Sequence, residues 1–540
     1  MSSLIETHMR RKLPIFRPYF LTAGTRSLLV AVSLLLSLLA LPGGPLPLVA
    51  LVSLVPLGLA LHGASRVECF IYAYTCGLLG WLAATGDLAV ALSAYAHVSR
   101  GPAWLLLTFA CAWLALPYGV FGLLYGTFQW LKSQRGVLKT AACLSLLVSL
   151  WPSPLPLDSA HALYRFPLLV QMLDVGGRPL LLFTLYLLNW LQVDLVMRLW
   201  QRRDYKVSAA WLGLLVVLVA GYGYVRLAQA HGAEAARTPE HTLRVAIIQP
   251  NIPLAGDSNP HSTDALNPFH TLLDQSEAAL SNDRSIELVV WPETPTRITC
   301  ADDAGVRPQL TQIVARHGVP FLVNCVQPAP DGRDYNTELL LTTRGAISAY
   351  HKQRLFPFTE YVPGDDWPHG LRGFVPNASR YVAGQEATVF RVKDGIGVFP
   401  AICYEILFPD QSRAFVARGG NVLVSAANDA WFGASRIPDF EIAAGVYQAI
   451  QYRLPVVRVA NSGDSVAVKA SGEIVSGSRT PAFTQTTRVV EVFVPAERAP
   501  YFYLGHAFLY LLACGWAASV LRELYRRRRG NGHGRRRDIA

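Results

Sequence analysis

Three residues of this sequence stand where a thiol acyl-transfer site would need them. Cys403 ends the hydrophobic run Phe399-Pro400-Ala401-Ile402 and is followed by Tyr404 and Glu405. Upstream, Glu293 closes Trp291-Pro292-Glu293 and Lys352 closes Tyr350-His351-Lys352. A cysteine attacks an acyl carbonyl as its thiolate. A neighbouring carboxylate can take the thiol proton, then move a proton at the leaving group or the incoming amine. A cation and backbone N–H groups stabilise the tetrahedral oxyanion, each donor contributing about 2.7–4 kcal/mol. Lysine suits that task as a compact charge on a flexible stem. Singly, each residue has an ordinary explanation: a surface glutamate, a solvated lysine, an inert buried cysteine. Their placement, each at the end of a β-like run, points to a site.

The elements that must hold them lie in residues 229–499. Short strand-like runs occur at 244–249, 288–291, 321–323, 337–341, 389–392, 396–399, 422–424 and 456–459. Residues 266–281 and 305–317 read as helices. Strands and helices interleaved in this way predict a layered α/β core.

On either side the chain is apolar. The hydrophobic fraction is 52% and the charged fraction 16%, which is low for a soluble protein. Eight membrane spans are expected, at about 27–41, 45–62, 69–92, 103–130, 137–152, 178–200, 209–228 and 501–522, each near the length a bilayer requires. The predicted organisation is a membrane domain of about seven transmembrane helices over 1–228, an extracytoplasmic catalytic domain over 229–499, a last span within 500–524, and a basic cytoplasmic tail over 525–540.

The net charge of +11 is concentrated beside these spans, in Arg10, Arg11, Lys12 and Arg17, in Arg202, Arg203 and Lys206, and in Arg526–Arg529 with Arg535–Arg537. Basic residues in such places set topology, so nucleic acid is not implied. With both termini and the Lys132–Lys139 connection cytoplasmic, residues 229–499 fall outside the cytoplasm. No cleavable signal is expected, since the first span lacks a convincing small-residue cleavage site and is followed at once by another. Asp194, near a span end, is expected to pair with Arg198; Asp87 has no partner that sequence names. Residues 153–177 read either as an interfacial arm or as a loop on the headgroups. None of the eight cysteines forms a CxxC or Cys/His cluster, so no metal is expected. Cys300 and Cys325 either pair or stay free.

Four segments carry a resemblance: Val290-Trp291-Pro292-Glu293-Thr294; Tyr350-His351-Lys352 running on to Phe358-Thr359-Glu360-Tyr361-Val362-Pro363-Gly364; Ile402-Cys403-Tyr404-Glu405-Ile406-Leu407-Phe408-Pro409; and Asn428-Asp429-Ala430-Trp431-Phe432-Gly433. In order and spacing they resemble the nitrilase, or carbon–nitrogen hydrolase, superfamily. With the flanking spans they resemble the apolipoprotein N-acyltransferase family within it. The resemblance implies a four-layer α-β-β-α sandwich attached to a multi-span α-helical membrane domain in the bacterial inner membrane, with the catalytic side periplasmic. It further implies transfer of an acyl chain from a phospholipid donor to Cys403 as a thioester, then to the N-terminal amine of a diacylglyceryl-cysteine lipoprotein. Glu293 would be the general base and Lys352 the oxyanion partner. Glu360 would be a second carboxylate near the nucleophile, Tyr404 N–H an oxyanion donor, and Glu405 would shape the surroundings. No cofactor or metal is implied.

The sequence departs from the family in three places. The tryptophan usual after Asn251-Ile252-Pro253 is missing from Leu254-Ala255-Gly256-Asp257. Phe440-Glu441, Gln448, Gln451 and Arg453-Leu454-Pro455 replace a usual Gln-His, an arginine- and glutamate-bearing helix and Gly-Arg-Pro. A Pro-Trp-Gly signature between spans five and six is absent. These departures keep open a paralogous membrane thiol acyltransferase or amidase with a different amine or amide substrate. An inactive scaffold is disfavoured by the intact trio.

Overall fold

A computed structural model describes residues 21–95, 99–132, 134–253, 267–293, 306–364, 371–374 and 379–534. Arg10–Arg17, Leu254–Asp257, Cys300 and Arg535–Arg537 lie outside the described residues.

Among those described, six helices are long and apolar enough to cross a bilayer: Ala23–Ala40, Arg66–Thr85, Arg100–Phe128, Leu173–Trp200, Lys206–Ala235 and Ala507–Arg526. Leu105, Phe109, Val217, Leu218 and Leu511 stand exposed on them, an arrangement that suits lipid and would be costly in water. Two expected spans fall short. Residues 45–62 and 137–152 give the shorter apolar helices Pro47–Leu61 and Gly136–Leu150. The first is broken into a 3-10 turn, Pro47–Leu51, and a helix, Val55–Leu61, each with proline in its opening positions. Proline lacks the N–H that a continuing helix needs and is favoured at a helix start. The expected seven helices before residue 228 are therefore five long and two short ones. The third expected span ends at Thr85, and the exposed Asp87 opens a separate helix, Asp87–Tyr95. There its charge meets the positive end of a helix dipole. Asp194 accepts from Arg198 Nε at 2.7 Å, as expected. The seventh span continues to Ala235, past the expected limit at 228.

The intervening region holds two sheets. One has six strands in the order β11-β1-β2-β3-β4-β5: β1 Thr242–Gln249, β2 Leu288–Val290, β3 Phe321–Pro328, β4 Asp334–Thr342, β5 Gly345–His351 and β11 Thr486–Phe493. The other runs β10-β9-β8-β7-β6: β6 Phe390–Lys393, β7 Ile396–Ile402, β8 Val422–Ala427, β9 Val456–Ala460 and β10 Val466–Val468. Strand alternation explains the layering. Val245, Ile247, Val290 and Leu322 pack in one core with Val398, Val422, Val424 and Val457 of the second sheet. Their neighbours Ala246, Ile248, Val289 and Val323 face Phe269, Leu272, Leu310 and Ile313 on the helices Asn267–Asn282 and Val306–His317. Pro409–Ala417 and Ile437–Tyr452 cover the far side of the second sheet through Phe415, Val446 and Ile450. The result is the expected α-β-β-α sandwich.

Residues 153–177, expected as an interfacial arm or a loop on the headgroups, are ordered and packed against the sandwich. They fold into the 3-10 turn Ser159–Arg165, the short helix Pro167–Val170 and the start of Leu173–Trp200. Ala160–Tyr164 is buried. Tyr164 Oη donates to Asp439 at 3.2 Å, Tyr447 Oη donates to the Ala160 carbonyl, and Gln171 Nε2 donates to the Ser471 carbonyl at 2.8 Å. The segment is a wedge that joins the membrane half to the sandwich.

Candidate active site

β1, β2 and β3 are parallel, and β7, β8 and β9 are parallel. Two antiparallel steps, β3 to β4 and β4 to β5, return β5 to the direction of β3. Glu293 follows β2, Lys352 follows β5 and Cys403 follows β7. All three therefore leave C-terminal strand ends, where α/β folds place their ligand crevices.

Lys352 is the hub. It is 2% exposed, and its Nζ donates to Glu293 Oε1 at 3.1 Å and to Glu360 Oε1 at 2.9 Å. Burial opposes its charge, but the two carboxylates outweigh burial and hold its pKa well above the ordinary lysine value. Burial raises the Glu360 carboxyl, against the pull of Lys352. Glu360 Oε2 also accepts from Phe356 N at 2.7 Å, which closes the loop after β5. Asn336 on β4 bridges the carboxylates, its Nδ2 donating to Glu293 at 2.9 Å and to Glu360 at 3.0 Å. Its carbonyl accepts from Lys352 N at 2.8 Å. Beneath it Glu338, fully buried, accepts from Asn324 Nδ2 at 3.2 Å. Burial lifts its pKa to about 8, so at neutral pH it is mainly protonated and adds little negative charge below the site.

Cys403 has φ 52°, a left-handed conformation that is strained for a residue with a Cβ and that concentrates at functional sites. The kink ends β7 and starts the 3-10 turn Cys403–Leu407. Tyr404 N–H lies in the first turn, where backbone donors have no intrahelical acceptor. Cys403 is 7% exposed. Burial pushes its pKa well up, Glu293 and Glu441 add to this, and Lys352 opposes it.

Glu405 ties the two halves of the site together. Its carboxylate accepts from Ile402 N at 2.9 Å, Gln353 N at 2.8 Å and Arg354 N at 3.0 Å, and from the Tyr350 hydroxyl. It thus staples the Lys352 loop to the Cys403 turn. Tyr404 Oη donates to the Pro154 carbonyl at 2.7 Å, and its ring packs edge-on against Phe356 and Phe408. The Cys403 turn therefore rests on the wedge from the membrane half.

Glu293, Lys352 and Glu360 are thus brought into direct contact. Cys403, Tyr404 and Glu405 form the adjoining turn. Sequence reasoning passed over Asn336, which with Glu338 lies in the polar first half of its strand, ahead of Leu339, Leu340 and Leu341. It also passed over a second cluster. Arg458, 1% exposed, donates through Nη2 to Asp429 Oδ1 at 2.7 Å and to Glu441 Oε2 at 2.7 Å. A lone arginine in Val456-Val457-Arg458-Val459 was the signal, since a buried charge requires partners. Among the described residues, no group of three or more His, Cys, Asp or Glu side chains is placed to hold a metal ion.

The carbon–nitrogen hydrolase family model matches residues 244–497. An apolipoprotein N-acyltransferase of Chlorobaculum tepidum is 30% identical over 383 residues, 65% of this chain and 69% of that protein. One from Geobacter metallireducens is 26% identical over 502 residues, 88% of this chain and 87% of that protein. Among solved structures, an amidase from Nesterenkonia sp. aligns with 51% of this chain and 97% of its own, at 18% identity and a TM-score of 0.35.

Proposed function

Because the chain belongs to the apolipoprotein N-acyltransferase family, we propose that this membrane acyltransferase moves a fatty acyl chain from a phospholipid to the N-terminal amine of diacylglyceryl-cysteine lipoproteins, through a thioester on Cys403. The observation that carries the reading is Lys352, one buried ammonium held by Glu293 and Glu360 beside a buried thiol. In the first half-reaction the Cys403 sulfur bonds to the ester carbonyl and the carbon–oxygen bond breaks. The thiol's proton goes to a carboxylate, and the departing lysophospholipid oxygen receives one. In the second, the amine bonds to the thioester carbonyl, the carbon–sulfur bond breaks, the amine gives up a proton and the thiolate recovers one. Glu293 is the general acid–base facing the substrate. Lys352 and Tyr404 N–H stabilise the oxyanion. Glu360 fixes Lys352, and Glu405 fixes the turn.

A lipid donor is supported by the contact of Tyr404 with Pro154. It is supported also by an apolar cavity of about 110 Å³ lined by Leu34, Leu57, Trp81, Tyr118 and Phe440. An acceptor already bearing lipid would be concentrated at the same surface, raising its effective concentration without new contacts. The test is complementation of a cell depleted of its own lipoprotein N-acyltransferase. Triacylated lipoprotein N-termini are expected. Termini that stay diacylated, with the protein expressed and Cys403 acylated, would shift the assignment to a different amine acceptor, consistent with the altered residues around Glu441.

The sandwich is proposed to face the periplasm, with the protein in the inner membrane. Lys139 Nζ meets Glu523 at 2.6 Å, which supports one side for the 132–139 connection and the basic tail. Cys325 is disulfide-bonded, which suits an oxidising compartment. Reporter fusions near residue 235 and at the C-terminus should report opposite sides of the membrane; the same side for both would contradict this orientation.

A further inference from the structure

Among the described residues, the hydrogen-bonding atom in contact with Cys403 Sγ is Glu441 Oε1, at 3.9 Å. Glu293 Oε1 accepts from both Lys352 and Asn336. Glu441 lies in the first turns of Ile437–Tyr452 and is 1% exposed. Its Oε2 is fixed by Arg458, which is held in turn by Asp429 of the Asn-Asp-Ala-Trp-Phe-Gly turn. The side chain is therefore locked with Oε1 turned to the sulfur. Burial lifts its pKa to about 7, although Arg458 pulls it down. A carboxyl of that pKa can both take and return a proton at neutral pH.

We propose that the site divides its proton transfers between two carboxylates, with Glu441 as a further catalytic residue serving the thiol and Glu293 serving the substrate. As sulfur bonds to the ester carbon, the S–H proton passes to Glu441. The departing alkoxide takes its proton from the Glu293–Glu360–Lys352 cluster. As the amine attacks the thioester, its proton goes to that cluster and Glu441 returns the first proton to the leaving thiolate. Both carboxylates end each cycle as they began.

This assignment rests on the thioester reading above, and the experiment separates the two. Single-turnover acylation of Cys403 by phospholipid is measured in wild type, Glu441→Gln and Glu441→Asp, alongside alkylation of Cys403 by iodoacetamide. Glu441→Gln is expected to slow thioester formation about 100-fold or more, the span typical of a positioned acid–base. Alkylation should be unchanged or faster, because removing a negative charge beside the thiol favours the thiolate. Glu441→Asp, which keeps the carboxylate and its charge towards Arg458, should acylate faster than Glu441→Gln. Acylation of Glu441→Gln within about 3-fold of wild type would overturn the assignment and leave the thioester intact. Acylation and alkylation slowed in parallel would also overturn it, since that is the result of a merely structural role. Absence of any wild-type thioester would overturn both readings.

Discussion

A Cys403→Ala chain is expected to insert and fold normally yet to lose acyl transfer by about 10⁴-fold or more, the order of loss when a covalent nucleophile is removed. The substitution changes little else. Alanine is as strained at φ 52° as cysteine, so the kink ending β7 costs the same in both. The thiol's described hydrogen-bonding contact is the long 3.9 Å approach of Glu441, so its loss removes one weak contact. The turn itself is held by Glu405 through Ile402, Gln353, Arg354 and Tyr350. Thermal unfolding in detergent should be close to that of wild type, while labelled phospholipid transfers nothing to an amine acceptor. Retention of most activity would remove the nucleophile from the mechanism.

Lys352→Met should damage both chemistry and fold. The ammonium is nearly fully buried between Glu293 and Glu360. Its removal leaves two close carboxylates in a low-dielectric pocket, and breaking one side of such a buried pair costs about 3–5 kcal/mol. The pH dependence has a definite sign. The folded-state pKa of Lys352 is raised, so its contribution in wild type is fully present below the unfolded lysine pKa and is lost only in strong alkali. The variant should therefore be most destabilised near neutral pH. It should regain stability on acidification as the orphaned Glu360 carboxyl, already raised by burial, protonates. Acyl transfer should fall by about 10²–10³-fold from the oxyanion term alone. Unfolding temperatures at pH 5.5 and 7.5, measured beside wild type, check this. An equal loss at both pH values would argue that Lys352 does not hold Glu360 as an ion.

Much of this site was legible because its chemistry sits at strand ends, and strands announce themselves by apolar runs. β1, β2, β3, β4, β6, β7, β8 and β9 all contain or coincide with runs visible in the sequence. β5, β10 and β11 were not expected. Gly345-Ala346-Ile347-Ser348-Ala349 has small, mixed residues with weak strand preference. Val466–Val468 is three residues long, and Thr486–Phe493 is an edge strand with exposed charges on both faces, Arg488 on one and Glu491 on the other. Edge strands blunt their apolar signal in this manner.

The site's supporting residues were harder to read than its three principals. Asn336 matters because register sets β4 between β3 and β5, with Asn336 two residues from Glu338 on the same face. Glu441 matters because a helix brings its first turns over the Cys403 turn, 38 residues away in the chain. No local spacing encodes either contact. Among the described residues of the membrane half, hydropathy located the apolar segments but not their continuity. The break between Leu51 and Val55, just before Pro56, divides one expected span, and the break at Gly86 divides another.

The account rests on an acyl chain bonded to Cys403. The direct measurement is peptide mass spectrometry of the purified protein after incubation with a phospholipid of defined acyl composition and no amine acceptor. The predicted result is the Cys403 peptide carrying the mass of that acyl group, removed by neutral hydroxylamine as a thioester is. An unmodified Cys403 peptide under these conditions, with the acyl group absent or bound to another residue, would contradict the account.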